Sequence, residues 1–326
     1  MRIVIALGGN ALLKRGQTPD AAIQVANVET ACRALAPLAR EHEIVITHGN
    51  GPQVGVLALQ SASDPNLTIP YPFDTLGAMT QGMIGYWMLQ SLQNNLPGRD
   101  VAAIINQTLV MESDPAFDHP TKFVGEVYTE QEAVELTAAR GWVMKPDGEH
   151  FRRVVGSPRP QRVIETKLIR SMLDDGTVVV CAGGGGIPVV RDEHGNRVGV
   201  EAVVDKDLTA AVLAEHLDAD LLMILTDVPA VIDGFGTDAA RPIHRATPKM
   251  LRAMDFPDGS MGPKVEAVCR FVELTGGISA IGRFEDAVQL VAGLAGTVVT
   301  PGGDYGGVRD NQVPVTAATN GQKVRA

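Results

Sequence analysis

Residues 199–228, GVEAVVDKDLTAAVLAEHLDADLLMILTDV, restrict the possible folds more than any other stretch of the chain. Lys206 stands there between Asp205 and Asp207, an Ala/Leu-rich amphipathic run follows, and an apolar segment at 221–225 stops at Thr226-Asp227. Helical spacing followed by a short buried strand is the pattern of a βα repeat. In open parallel α/β sheets ligands bind beyond the carboxyl ends of the strands, so Asp227 and Lys206 are expected to face one crevice. A Lys between two carboxylates at a helix entry is also what a solvated cap looks like. The rest of the chain decides between the two.

Other strand ends repeat the arrangement. Residues 2–7 form a β-branched strand that stops at Gly8-Gly9-Asn10, with helical spacing from about 20 to 42. Residues 43–47 form a second strand, which runs into His48-Gly49-Asn50-Gly51-Pro52-Gln53, and residues 177–182 run into four glycines, Gly183 to Gly186. Glycine at such a turn lets backbone N–H groups approach an anion with no Cβ in the way, and a helix N-terminus behind it adds a favourable field. Plain tight packing uses the same turns. Neither GxGxxG nor GxxxxGK[ST] is present, so a standard dinucleotide site or P-loop is not supported. His48 reads as a hydrogen-bonding group that fixes its loop, with general base as its other possible role. Lys264 follows Ser260-Met261-Gly262-Pro263 at the start of a helix over 265–273, where it opposes the helix dipole; an anion held at that end supplies the reason.

Helices are further expected over 74–94, 161–174 and 285–294, strands over 101–106, 278–282 and 297–300, and polar turns over 231–243. Residues 111–160 have a different texture, with Pro and Gly punctuating short strands. They are expected to form an inserted, protruding, lid-like subdomain of a domain covering 1–300, with Lys122 at a turn from which it reaches over a substrate. An ordinary exposed Lys is the other reading. Residues 301–326 are Gly-rich and polar and are expected to be a flexible tail.

With 326 residues, 45% of them hydrophobic, the chain buries a large core. A net charge of −10 without a basic stripe argues against a nucleic-acid partner. The cysteines, Cys32, Cys181 and Cys269, are odd in number and far apart, which fits core thiols in a reduced compartment. The N-terminus has no cleavage pattern and no apolar run is long enough to span a bilayer, so no membrane partner and a cytoplasmic location are expected.

In order along the chain stand ALGGNALL (6–13), THGNGPQVG (47–55), DPAF with PTK (114–122), GGGGIPV (183–189), GVEAVVDKDLTA (199–210), LTDV (225–228) and GSMGPKVEA (259–267). Each motif is short, but the ordered series is specific. Over residues 3–300 it resembles the carbamate kinases of the amino acid kinase superfamily. The resemblance implies an α/β fold, a three-layer αβα sandwich around a mainly parallel open sheet with a small protruding subdomain, and a homodimer. It implies reversible phosphoryl transfer between ATP and carbamate, giving ADP and carbamoyl phosphate, with Mg²⁺ carried by the nucleotide and no metal ligated by protein side chains. Catalysis then falls to Lys206, Asp207, Lys264 and Lys122, with Asp207 orienting the lysines. Gly8, Gly9, Asn10, Gly49, Asn50 and Gly51 are expected to hold carbamate and phosphoryl oxygens, and Thr226, Asp227, Val228, Met261 and Lys264 the nucleotide.

Many relatives in the wider superfamily carry a catalytic Lys just before the first Gly pair. Ala6-Leu7 stands there in this chain, and Lys206 is the substitute. Three places depart from the family pattern. Pro229 and Ile232 replace an acidic and an aromatic residue in the expected nucleotide pocket, Phe123 replaces a Pro after Lys122, and residues 156–160, GSPRP, are a variant of the family's SPxP segment. A compact HGNG turn with no evident Arg for a second carboxylate favours a small acceptor. The alternatives are a kinase of another small carboxylate or phosphonate, and a non-catalytic carbamoyl-phosphate or nucleotide sensor. The departures motivate the sensor; the retained lysines oppose it.

Overall fold

The structure, a computed structural model, describes residues 1–14, 16–256 and 260–302. The segment 303–326, most of the expected tail, and Gly259 of the last motif lie outside the described residues. β1 (Arg2–Leu7) leads through a 3-10 turn (Gly9–Ala11) to α1 (Ala21–Glu41), and β2 (Glu43–His48) leads into α2 (Gly51–Ser63), followed by α3 (Phe73–Asn95). β3 (Val101–Ala103) and β4 (Gln107–Leu109) precede β5 (Lys122–Tyr128), α4 (Glu130–Arg140), β6 (Val143–Asp147) and β7 (His150–Val155). The chain continues through β8 (Arg162–Val163), α5 (Thr166–Asp174), β9 (Val178–Val180), β10 (Ile187–Arg191) and β11 (Arg197–Gly199) to α6 (Lys206–His216) and β12 (Leu221–Thr226). A hairpin of β13 (Val231–Asp233) and β14 (Arg241–Ile243) follows, then β15 (Arg245–Ala246), α7 (Pro248–Arg252), α8 (Met261–Thr275), β16 (Ile278–Arg283), α9 (Ala287–Val291) and β17 (Thr297–Val299).

The apolar runs of β1, β2 and β12 are buried on both faces because helices cover both. Along β1, Ile3, Ile5 and Leu7 point into a core shared with α1, α3 and α9, whereas Val4 and Ala6 point into a core shared with α5, α6 and α8. This is a three-layer αβα sandwich. Its sheet has the order β15-β17-β16-β12-β1-β2-β9-β3, and among the described residues only the β16–β17 pair is antiparallel. The register sets Leu7 beside both His48 and Leu225, so the turns after β1, β2 and β12 open at one edge.

Residues 122–155 carry an antiparallel three-stranded sheet, β5-β7-β6, and α4, whose Thr129 and Glu132 form a capping box. Val124 and Val155 pack this unit onto Val54, Phe73 and Leu76 of the body. Arg153 pins it further, with its guanidinium 4.3 Å from the Trp142 ring and 5.1 Å from the Phe73 ring, and paired with Glu201.

Several elements differ from their local pattern. The helix expected from 161 begins only at Thr166, because Gln161 and Ile164 donate their N–H groups to Leu109 and Gln107 and place β8 in a second sheet, β11-β10-β4-β8. The strand expected over 101–106 ends at Ala103; the Asn106 side chain instead accepts the Ala182 N–H at 2.6 Å and braces the turn after β9. The polar stretch at 231–243 closes as a hairpin, and the last expected helix shortens to α9.

Candidate active site

The three Gly turns touch. The Gly8 N–H donates to Leu225 O at 2.8 Å and the Gly49 N–H to Leu7 O at 3.0 Å, so each turn is fixed to the neighbouring strand. A Cβ at Gly49 would stand 3.0 Å from Gly9 N. Gly184 has φ +64, and a Cβ there would stand 2.2 Å from Asn50 Nδ2. Only glycine permits this approach. Asn50 is thereby aimed, with its amide donating to Thr80 Oγ1 at 2.9 Å. Buried His48 sits within its loop with Nδ1 2.9 Å from Gly49 O, and burial lowers its pKa to about 4, so it stays neutral and serves the loop.

A cleft of about 560 Å³ opens above these turns. Gly9, Gly49, Asn50, Gly51, Gly184, Asp205, Lys206, Asp207, Ser260, Pro263 and Lys264 line it from the body, and Lys122, Phe123 and Arg152 from the antiparallel unit. Residues at the N-termini of α2, α6 and α8 therefore all border one space, where helix dipoles favour an anion. Asp207 is the anchor. Its carboxylate accepts from Lys206 Nζ through one oxygen and from Lys264 Nζ at 3.1 Å through the other. Burial alone would raise the Asp207 pKa, but the charges and hydrogen bonds of the two lysines outweigh it and hold the carboxyl below its ordinary value. Lys264 also donates to Ser260 O at 3.3 Å, which fixes a cation in a helix first turn where the dipole opposes it. Asp205 caps α6, so the capping reading holds for Asp205 and not for the mostly buried Lys206.

The sequence profile described as the amino acid kinase family matches residues 1–281. A carbamate kinase of Rhizobium meliloti is 52% identical over 304 residues, which cover 92% of this chain and 93% of that protein. A carbamate kinase of Haemophilus influenzae is 49% identical over 92% of this chain and 97% of its own length. The chain belongs to the amino acid kinase family, among its carbamate kinases. A solved carbamate kinase from Giardia lamblia bound to AMP-PNP superimposes on this kinase with a TM-score of 0.85 at 39% identity, over 92% of this chain and 98% of that one.

The fold of this carbamate kinase family member thus gathers Lys122, Lys206, Asp207 and Lys264 with Gly9, Gly49, Asn50 and Gly51 around one cleft. Asn10, Thr226 and Asp227 line a neighbouring cavity of about 540 Å³ instead, with the Asn10 amide donating to Asp227 Oδ2 at 2.7 Å. Met261 packs against the core on the α6 and α8 side. Ile232 pairs with Pro242 in the hairpin, and Phe123 lines the cleft.

Arg152 corrects the expectation that the pocket lacks an Arg. It lines the cleft from β7, bound to Asp147 at 3.3 Å, while Arg153 turns to Trp142 and Phe73. The period-2 pattern of a strand sends the two arginines of FRRVV to opposite faces, but only the tertiary placement shows which face meets the cleft. Among the described lining residues, four cations, Lys122, Arg152, Lys206 and Lys264, face two carboxylates, Asp205 and Asp207. The surplus of positive charge suits a phosphoryl dianion.

Proposed function

We propose that the chain is a carbamate kinase that transfers a phosphoryl group reversibly between ATP and carbamate, giving ADP and carbamoyl phosphate. The observation that carries the reading is one buried carboxylate, Asp207, holding two ammonium groups from two helices above the Gly turns. Phosphoryl transfer spreads negative charge over equatorial oxygens, so it needs positioned cations and N–H donors and no covalent nucleophile. In this reading Lys206 and Lys264 clamp the transferring group. Asp207 orients both and, being held ionised, exchanges no proton. Gly9, Asn50 and Gly51 hold carbamate and phosphoryl oxygens, whereas Asn10, turned to Asp227 in the neighbouring cavity, stands with the nucleotide residues. Gly8 and Gly49 act through shape, since their N–H groups are spent on Leu225 and Leu7. Thr226, Asp227, Val228 and Met261 hold the nucleotide with Lys264. Residues 111–160 act as a lid on the domain 1–300, bringing Lys122 and Arg152 to the acceptor.

The donor set fits Mg²⁺ that arrives on the nucleotide. Both carboxylates on the cleft wall are paired with lysines, and among the described residues no group of three or more His, Cys, Asp or Glu is gathered. When bound, the ion neutralises charge on the nucleotide phosphates. A homodimer belongs to the same reading, supported by apolar residues on the outer side of α3, where Tyr86 is 57% and Met79 42% exposed. Three buried free thiols support a reduced, cytoplasmic setting, and no described helix is long and apolar enough to cross a membrane.

The deciding experiment is ATP formation from ADP and carbamoyl phosphate by the purified chain. Turnover that saturates in both substrates supports the reading, and none from a folded protein defeats it. The other small carboxylate or phosphonate acceptors and the sensor are not favoured by relatives named carbamate kinase at 49% and 52% identity.

A further inference from the structure

We propose that Asp205 is a positioning residue that sets Lys122 over the cleft, using the oxygen left free by its capping of α6. This rests on the kinase reading above. Asp205 Oδ1 accepts from the backbone N–H groups of Asp207 at 2.9 Å and Leu208 at 3.3 Å. Its Oδ2 accepts from Lys122 Nζ at 3.2 Å. Lys122 opens β5 of the antiparallel unit, and Asp205 opens the helix that carries Lys206 and Asp207. One carboxylate therefore ties the lid to the element that presents the clamping charges.

Asp205 is well placed for this work. An exposed ion pair is worth little when both long side chains must be ordered. Here the carboxylate is 15% exposed and already fixed by two backbone bonds, so only the torsions of Lys122, 40% exposed, remain to be ordered. An ammonium has three donors; Asp205 takes one and leaves the others for oxygens in the cleft. Charge points the same way. Asp207 is engaged by Lys206 and Lys264, so Asp205 is the carboxylate, among the described lining residues, that offsets the repulsion of these cations and Arg152 on Lys122.

Asp205→Asn separates the two roles, because Asn caps a helix about as well as Asp but presents a neutral amide to Lys122. The full chain carrying Asp205→Asn, Lys122→Gln or both is compared by two readouts. In steady-state ATP formation, Asp205→Asn raises the KM for carbamoyl phosphate about tenfold with the KM for ADP unchanged, and adds nothing once Lys122 is Gln. In hydrogen exchange without substrate, each single variant speeds exchange across residues 122–128, and the double variant no more than either. Additive effects, or an unchanged KM and exchange rate, overturn the proposal. So does a loss of thermal stability in Asp205→Asn as large as in Asp205→Ala, which would make the residue a cap alone. If the unmodified chain made no ATP while the exchange pattern held, the kinase reading would fall and the Asp205–Lys122 coupling would stand.

Discussion

Asp207 can remain ionised in a buried position because two ammonium groups meet it from different helices, and each lysine in turn is aimed by that carboxylate. In the proposed mechanism, removing Lys206 or Lys264 deletes a charge that matters most in the transition state, at a typical cost of about 3–4 kcal/mol. Lys206→Ala and Lys264→Ala should each lower kcat on the order of a hundred- to thousand-fold in the coupled assay, with a smaller change in melting temperature; near-normal turnover would remove the residue from the clamp. Asp207→Asn should act similarly by releasing both lysines. His48 bears on stability. Its folded pKa of about 4 lies below the unfolded value of about 6.5, so the unfolded chain binds the extra proton between these values. Stability is therefore full above about pH 6.5 and falls on acidification toward pH 4, by on the order of 3 kcal/mol from this group. Urea unfolding across that range should show a shallower pH dependence in His48→Asn; an equal slope would show that other groups dominate.

At the scale of elements, the site is a contact between turns that belong to three different strands. Gly184 is left-handed and lies against Asn50, so Gly184→Ala adds backbone strain of about 1–3 kcal/mol and pushes the Asn50 amide from its bond to Thr80. The expected result is a lower melting temperature together with a large loss of turnover, and an alanine variant with ordinary kinetics would show that Asn50 is not needed where it stands. The antiparallel unit depends on Arg153, which joins Trp142 of the unit to Phe73 and Glu201 of the body. Arg153→Ala should loosen the seat of Lys122 and raise the KM for carbamoyl phosphate several-fold while ADP binding, read by calorimetry, changes little. Equal loss of both would mean that the unit supports the nucleotide side as well.

For the whole molecule, α3 exposes two large apolar side chains one heptad apart, Met79 and Tyr86, on its outer side. If the proposed homodimer forms through this face, replacing Met79 with Asp and Tyr86 with Arg should convert it to a monomer in sedimentation with helical content preserved; an unchanged sedimentation coefficient would remove this face from the proposal. The three-layer order was expected from the family resemblance, while the residues themselves showed the unbroken apolar runs 3–6, 44–46 and 221–225, the pattern of strands buried in a parallel sheet. The Gly turns and the motif lysines were readable too, since backbone freedom and charge are local properties of a residue. Other features depend on partners far along the chain. That Gly8 and Gly49 spend their N–H groups on Leu225 and Leu7 follows from strand order, and that residues 162–163 pair as a strand follows from Gln107 to Leu109. Which arginine of the FRRVV strand faces the cleft, and that Asp205 meets Lys122 across 83 residues of sequence, follow from how one unit seats on another. Periodicity and composition record which face of an element is apolar; they carry no information about which distant atom completes a hydrogen bond, and that was decided only when the layers packed.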